Sequence, residues 1–171
     1  TQIVLLEGAD AGKYSVKTSV WNPNGQKLTE QTIPLSQIKY NDNSLSQEFI
    51  IQTPTLWSPD MPALYSAETR LYEGDQLKDI YTTPFGIRSI EIIPNKGFFL
   101  NGEKTVFKGV CNHHDLGPLG AAVNDAAIRR QIRILKDMGC NAIRTSHNMP
   151  APELVRACDE MGMMLMVESF D

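Results

Sequence analysis

Large or β-branched side chains alternate with polar ones in the first half of the chain. From Tyr14 to Val20 they occupy every second position, which is the period of a half-buried strand. The turn sequence Asn22-Pro-Asn-Gly25 follows. Further stretches with strand character are Ser46–Gln52, Leu64–Tyr72 and Gln76–Thr83. Short strands separated by turn signals predict a small antiparallel β-sandwich over residues 1–91.

The hydrophobic period changes to that of amphipathic helices after residue 120. Asn124 can cap a first helix, and Gly139 follows where that helix would end. Its inward positions are predicted at Ile128, Ile132, Leu135 and Met138. Pro152 fits the first turn of a second helix that Gly162 would stop. Its inward positions are predicted at Leu154, Val155, Cys158 and Met161.

Apolar stretches of strand length lie before, between and after these two helices. One strand runs from Phe98 into a tight turn at Gly102, and the others are Thr105–Val110, Asn141–Thr145 and Met163–Val167. The resulting order β-α-β-α-β predicts a parallel sheet with right-handed crossovers. We place the join between the two halves near Ser89–Pro94, so the second domain would comprise residues 92–171.

Two of these predicted strands end in clusters of polar and ionisable residues. Cys111–Asp115 follows the first strand of the parallel sheet, and Arg144–His147 closes the second. Barrels of the α/β type carry their chemistry at such strand ends. The charge of Arg144 needs a partner in a buried setting, and Glu168 at the end of the third strand is the candidate. A purely structural Arg144–Glu168 ion pair is the alternative interpretation.

The composition and the net charge of the chain exclude several classes of function. The net charge is −4, so no basic surface is available for nucleic acid, and no apolar run has the length of a membrane span. The three cysteines fit no disulfide framework and are interpreted as reduced thiols. Zinc would need three or four converging ligands. A metal-dependent hydrolase that uses His113, His114 and His147 is an alternative interpretation. The preferred interpretation includes no metal site.

An ordered set of motifs resembles glycoside hydrolase family 2, which contains β-galactosidases, β-glucuronidases and β-mannosidases. The central motif is Asn141-x-x-Arg144-x-Ser146-His147, followed by Cys158-Asp159-x-x-Gly162 and an aliphatic strand. The preceding motifs, in the order of the family, are Leu56-Trp-Ser-Pro59-x-x-Pro62-x-Leu64-Tyr65, Phe85-Gly-Ile-Arg88, Gly97-Phe-Phe-Leu-Asn-Gly102 and Lys108-Gly-Val. One departure stands out. The family usually has a Tyr-Pro or Asn-Pro pair directly after the histidine, whereas here Asn148 is followed by Met149 and proline comes only at Pro150.

This resemblance implies an immunoglobulin-like β-sandwich followed by an incomplete TIM barrel, belonging to a retaining enzyme that cleaves terminal β-linked sugars. A β-galactosidase is the preferred activity. The resemblance further implies that His113 and His147 contact the sugar and that Arg144 hydrogen-bonds the nucleophilic carboxylate. It assigns supporting positions in the active site to Glu168, Asp115 and Asn148.

The two catalytic glutamates of this family lie on the fourth and seventh barrel strands, and no glutamate of this chain matches either. We therefore expect a piece of a longer enzyme that is inactive alone and associates with itself through its open sheet. The expected partner of the parent enzyme is a β-galactoside or a related oligosaccharide, without nucleic acid or membrane. No organic cofactor is implied, while a cation in the parent and its bacterial compartment stay open. The alternative function is a non-catalytic β-sandwich module that binds carbohydrate or protein.

Overall fold

The structure of the chain is a computed structural model that describes residues 10–37 and 46–169. It contains two compact units. The first comprises the described residues up to Pro54 together with Tyr65–Phe85, and the second comprises Thr55–Leu64 together with the described residues from Gly86 onward. The division into domains at residue 91 stays a prediction. In the structure, Thr55–Leu64 belongs to the same unit as the later residues.

The described part of the first unit is built on one four-stranded sheet. Its strands are β1 (Tyr14–Trp21), β2 (Lys27–Pro34), β3 (Leu64–Glu73) and β4 (Gln76–Gly86), in the order β2-β1-β3-β4. β1 runs antiparallel to both of its neighbours. Val16 and Val20 are buried, which confirms the alternation read for the first strand.

One strand prediction in this unit was wrong, and one strand was not predicted. Ser46–Gln52 forms no strand, and Lys27–Pro34, which has no clear apolar alternation, forms β2. β2 lies at an edge of the sheet with most side chains exposed, so its sequence lacks a hydrophobic period. Polar contacts hold it to β1 instead. Hydrogen bonds from Lys17, Ser19 and Lys27 lower the pKa of Glu30 to about 2.

The described part of the second unit contains two sheets, two α-helices and a short 3-10 helix at Gly117–Leu119. The antiparallel sheet consists of β5 (Ile90–Ile93), β6 (Gly97–Leu100) and β7 (Glu103–Lys104). The other elements are β8 (Gly109–Asn112), α1 (Asp125–Asp137), β9 (Ala142–Thr145), α2 (Pro152–Met161) and β10 (Met164–Val167). β9 lies between β8 and β10 and is parallel to both. The predicted β-α-β-α-β order is therefore confirmed.

The ends and the buried faces of both helices largely agree with those predicted from the sequence. The side chain of Asn124 accepts a 2.9 Å hydrogen bond from the backbone N–H of Ala127, and Gly162 ends α2 in the left-handed conformation. The core between the helices and the parallel sheet contains Ile128, Ile132, Leu135, Ile143, Ala157, Cys158 and Met163. Burial raises the pKa of the Cys158 thiol to about 12. Within the described residues, no helix is long and apolar enough to cross a membrane.

Two of the predicted inward positions were wrong. Met138 is 69% exposed because α1 ends at Asp137 and the chain turns away at Gly139, whose φ is 87°. Val155 is exposed as well, since the buried stripe of α2 runs through Ala157 and Cys158. Residues outside that stripe remain in solvent.

The first strand of the parallel sheet starts later than predicted. Thr105–Lys108 is irregular, and β8 begins at Gly109. The amide side chain of Asn141 accepts a 2.8 Å hydrogen bond from the Lys108 N–H and donates one of 3.0 Å to the Val106 carbonyl. A Cβ atom at position 109 would lie 1.9 Å from the Ala142 carbonyl oxygen. Only glycine therefore lets β8 approach β9 at this point.

Thr55–Leu64, called the strap below, is anchored by a buried tryptophan. Trp57 is 2% exposed, and its indole N–H donates a 2.8 Å hydrogen bond to the Asp159 carbonyl at the end of α2. The side-chain amide of Asn101 donates to the Trp57 carbonyl at 3.0 Å, and the Arg88 guanidinium lies 4.8 Å from the ring centroid. The strap is thus bound through both its backbone and its largest side chain.

A second anchor of the strap lies at Pro59. The ammonium group of Lys136 donates to the carbonyls of Pro59 and Gly162, at 2.8 and 3.0 Å. A Cβ atom on Gly162 would stand 2.2 Å from the Pro59 oxygen. The strap therefore rests directly on the C-terminal end of α2 and requires glycine there.

Candidate functional site

The ends of the three parallel strands bring the predicted site residues together. Arg144 on β9 is the register partner of Cys111 on β8 and of Met166 on β10. Directly opposite positions on neighbouring strands project to the same face of a sheet. Arg144 therefore lies on the face away from the helices, since its neighbour Ile143 packs into the helix-facing core.

The guanidinium of Arg144 is paired with the carboxylate of Glu168. Nε donates a hydrogen bond of 2.5 Å to Oε1, and a second nitrogen of the fork, Nη2, contacts the same oxygen. The remaining nitrogen, Nη1, lies 3.5 Å from both Cys111 Sγ and Ser146 Oγ. The predicted ion pair is present, with side chains that are 38% and 27% exposed, so it lies within reach of solvent.

Glu168 also holds the loop that follows β9. Its second oxygen, Oε2, accepts a 2.7 Å hydrogen bond from the backbone N–H of His147, and its own N–H donates to Thr145 Oγ1 at 3.3 Å. The His147 N–H, and after it the hydrogen bond and charge of Arg144, lower the pKa of Glu168 against the opposing effect of desolvation. One ionised carboxylate thus fixes a side chain on β9 and the backbone beyond it.

The two predicted sugar-contacting histidines meet at these strand ends. The ring centroids of His113 and His147 are 5.4 Å apart, with their planes at 50°. His147 has a φ of 67°, which is the left-handed region that non-glycine residues rarely occupy. The Ser146 N–H donates to the Asn112 carbonyl at 2.8 Å, which ties the two histidine-bearing loops to each other. Both histidines are exposed.

Asp115 and Asn148 do not join this network. The Asp115 carboxylate accepts a 2.7 Å hydrogen bond from the Gly117 N–H, so it closes a turn in its own loop. The Asn148 amide donates to the Ser146 carbonyl at 3.4 Å. Both residues line a cavity next to His113, and their supporting roles remain predictions.

Three residues of this site had no predicted role, namely Thr145, Cys111 and Ser146. All three contact Arg144 or Glu168. Pairing β8 and β9 by their buried positions would have placed Cys111 opposite Arg144, so a usable signal was present. In the part of the chain that the structure describes, no group of three or more His, Cys, Asp or Glu side chains is placed to hold a metal ion.

This geometry is suited to a ligand that carries many hydroxyl groups. Imidazole rings supply both a donor and an acceptor when neutral, and here two of them face solvent side by side. Arg144 adds charged donors next to them, held in place by Glu168. The site therefore offers hydrogen-bond donors and acceptors at positions that the Arg144–Glu168 pair helps to fix.

Comparison with known proteins settles the family of the chain. The model for glycosyl hydrolases family 2 matches residues 2–88, and the model for the TIM barrel domain of the same family matches residues 91–170. The chain belongs to glycosyl hydrolase family 2. Its fold class is accordingly an immunoglobulin-like β-sandwich followed by the start of a TIM barrel, as the resemblance implied.

Individual relatives agree with this family assignment. A β-galactosidase of Bacteroides ovatus is 52% identical over 168 residues, covering 98% of this chain and 20% of that protein. A solved family 2 glycosyl hydrolase from Bacteroides cellulosilyticus is 38% identical with a TM-score of 0.79, covering 94% of this chain and 21% of that one. A solved β-glucuronidase of Parabacteroides merdae is 30% identical with a TM-score of 0.81, covering 90% and 19%. The family 2 chain thus spans about a fifth of these relatives.

Proposed function

We propose that this family 2 chain forms the sugar-contacting part of a retaining glycosidase that cleaves terminal β-linked galactosides. The observation that carries the proposal is the pair of imidazoles, 5.4 Å apart at the ends of β8 and β9. Galactose is preferred because the Bacteroides ovatus β-galactosidase is 52% identical over nearly the whole chain. His113 and His147 would hydrogen-bond the hydroxyl groups of the sugar at the cleavage point.

We propose that Arg144 hydrogen-bonds the nucleophilic carboxylate of the complete enzyme. A retaining glycosidase uses two carboxylic acids about 5–5.5 Å apart, one as nucleophile and one as general acid. In the family these two carboxylic acids are glutamates on the fourth and seventh barrel strands, and no glutamate of this chain matches either position. Glu168 occupies Arg144 Nε and leaves Nη1 directed toward Cys111 and Ser146 on the same strand ends. Glu168 is therefore a positioning residue for both Arg144 and His147.

The proposal is tested by hydrolysis assays on the complete protein. Nitrophenyl β-galactoside should be cleaved with a higher kcat/KM than the matching β-glucuronide and β-mannoside. Residues 1–171 alone should give no turnover above a boiled sample, because the nucleophile and the general acid are absent. Preferential cleavage of the β-mannoside, or turnover by residues 1–171 alone, would contradict the proposal.

A β-glucuronidase is the second candidate activity, because a solved β-glucuronidase superposes with a TM-score of 0.81. A higher kcat/KM for the β-glucuronide would favour it. The non-catalytic alternative predicts something different, namely saturable glycan binding by residues 1–91 and no hydrolysis by the complete protein. The same set of substrates, with a glycan-binding assay on residues 1–91, separates all three functions.

A further inference from the structure

The third nitrogen of the Arg144 guanidinium lies between two side chains at the ends of neighbouring strands. Nη1 is 3.5 Å from Cys111 Sγ and 3.5 Å from Ser146 Oγ. A guanidinium carries donors only, so the thiol sulfur and the hydroxyl oxygen are the acceptors. Cys111 and Ser146 therefore contact the arginine through the one nitrogen that Glu168 does not use.

Both acceptors are placed by contacts of their own. Ser146 is 2% exposed, its N–H donates to the Asn112 carbonyl at 2.8 Å, and its carbonyl accepts a 3.4 Å hydrogen bond from the Asn148 side chain. Cys111 belongs to β8 and is the register partner of Arg144 in the sheet. The positions of the two acceptors therefore follow from the backbone around them.

Glu168 by itself does not fix the plane of the guanidinium. Nε and Nη2 both contact the same carboxylate oxygen, Oε1, and two contacts that converge on one atom leave a planar group able to pivot about it. The Arg144 side chain is 38% exposed, so close packing does not prevent this rotation. Contacts at Nη1 do prevent it, because the guanidinium is a rigid plane.

The same contacts determine which donor of Arg144 remains available. A guanidinium has five N–H groups. Those on Nε and one on Nη2 face Glu168, and the two on Nη1 face Cys111 and Ser146, which leaves one N–H on Nη2.

We infer that Cys111 and Ser146 are positioning residues that turn this last N–H of Arg144 toward the nucleophilic carboxylate of the complete enzyme. The inference rests on the proposed glycosidase function and on the role of Arg144 in it. It adds the two residues that set the direction of the arginine.

Kinetics of the complete protein with nitrophenyl β-galactoside test this role. Cys111→Ala and Ser146→Ala each remove one acceptor and should lower kcat by roughly tenfold, within the loss of about a hundredfold that a small misplacement can cause. KM should hardly change, because neither side chain is assigned to the sugar. Cys111→Ser keeps an acceptor and should retain most of the activity that Cys111→Ala loses.

Cys140→Ala is the matched control for the cysteine variants. Cys140 precedes β9 at the end remote from Arg144 and packs against the core between the helices and the sheet. Its replacement should lower Tm and leave kcat unchanged, which separates a loss of stability from a loss of positioning.

A second background shows whether the two residues act through the arginine. In Arg144→Lys the same alanine substitutions should cause no further loss, because lysine lacks the forked group that they orient. Full losses in that background would mean that Cys111 and Ser146 act independently of Arg144 and would overturn the inference. Equal kcat values for Cys111→Ser and Cys111→Ala would overturn it too, and this comparison does not depend on the activity of Arg144→Lys.

Failure of the proposed function gives a different result. If the complete protein cleaves no glycoside, that function is wrong, and crystal structures of the complete protein decide the positioning role. Nη1 should lie within hydrogen-bonding distance of both acceptors in the unaltered protein. In the variant that carries both alanines, the guanidinium should rotate about Glu168 Oε1, and an unchanged guanidinium would overturn the inference.

Discussion

The backbone N–H of His147 donates a 2.7 Å hydrogen bond to Glu168 Oε2. The other oxygen of the same carboxylate binds Arg144, so Glu168 orients a histidine loop and an arginine side chain at once. His147 adopts a φ of 67°, and such backbone strain persists only where surrounding contacts hold it. The Glu168 carboxylate is one of the contacts that hold it here.

Replacing Glu168 by glutamine should reduce catalysis in the complete protein. The amide would keep the size of the side chain but lose the charge that pairs with Arg144 and strengthens the bond from His147. We expect kcat/KM for nitrophenyl β-galactoside to fall by roughly tenfold or more. Glu160→Gln is the matched control, because it removes a carboxylate that pairs with Arg129 away from the strand ends. Equal kinetics in both variants would mean that Glu168 has no positioning role.

The lowered pKa of Glu168 gives its contribution to stability a defined pH dependence. The folded pKa lies below the ordinary value of 4.5, so the stabilisation is fully present above that value and is lost as the pH falls through the lowered pKa. The difference in Tm between the unaltered protein and Glu168→Gln should therefore be constant near neutral pH and shrink in acid. A difference that grows as the pH falls would contradict the assignment.

Changing the two histidines should affect catalysis more than folding. His113→Ala and His147→Asn remove imidazoles that are exposed in the structure, and asparagine tolerates the left-handed backbone of position 147. Lost transition-state contacts of this kind cost on the order of 2–4 kcal/mol in kcat/KM, while Tm should hardly change. His114→Ala is the control, and it also addresses the metal-dependent alternative. That alternative requires an equally large loss at His114 and activity that depends on a bound metal.

Local features of the site could be predicted from the sequence, and its long-range contacts could not. Asn124 and Gly162 gave the limits of the helices because capping depends on neighbouring residues. Arg144 and Glu168 could be paired because each closes a strand of one parallel sheet. The indole of Trp57, by contrast, bonds a carbonyl 102 residues away, and no periodicity encodes such a contact.

The local turn at Asp115 has a similar physical cause. Its type and position resemble those of a family site residue, but a carboxylate two residues before a glycine also closes a local turn with the Gly117 N–H. The left-handed backbone of His147 likewise depends on the hydrogen bond of its own N–H to Glu168 and on that of the preceding Ser146 N–H to the Asn112 carbonyl. Both features depend on how the loops meet, which a single sequence does not specify.

Two glycine substitutions should measure how firmly the strap is attached. Gly139 and Gly162 both have positive φ, 87° and 74°. A Cβ on Gly139 meets nothing within 4 Å, whereas one on Gly162 would lie 2.2 Å from the Pro59 oxygen. Gly139→Ala should cost about 1 kcal/mol of unfolding free energy, and Gly162→Ala should cost roughly 1–3 kcal/mol more. Equal losses in chemical denaturation would show that the strap does not rest on α2.

Residues 1–171 produced alone should associate with themselves. Among the described strands β10 pairs only with β9, and Met166 and Val167 near its end are 52% and 48% exposed. An unpaired apolar edge favours strand pairing between chains. Light scattering should show dimers or larger species that Met166→Lys reduces, whereas Met138→Lys on the exposed end of α1 should not. A monodisperse monomer with protected amides at residues 163–167 would contradict this expectation.

The most direct test of the proposed sugar site is a crystal structure of the complete protein with a galactose-configured inhibitor. The account predicts that hydroxyl groups of the sugar lie within hydrogen-bonding distance of the His113 and His147 imidazoles, with Glu168 still bound to the His147 N–H. A sugar bound elsewhere, with both imidazoles out of reach, would contradict it.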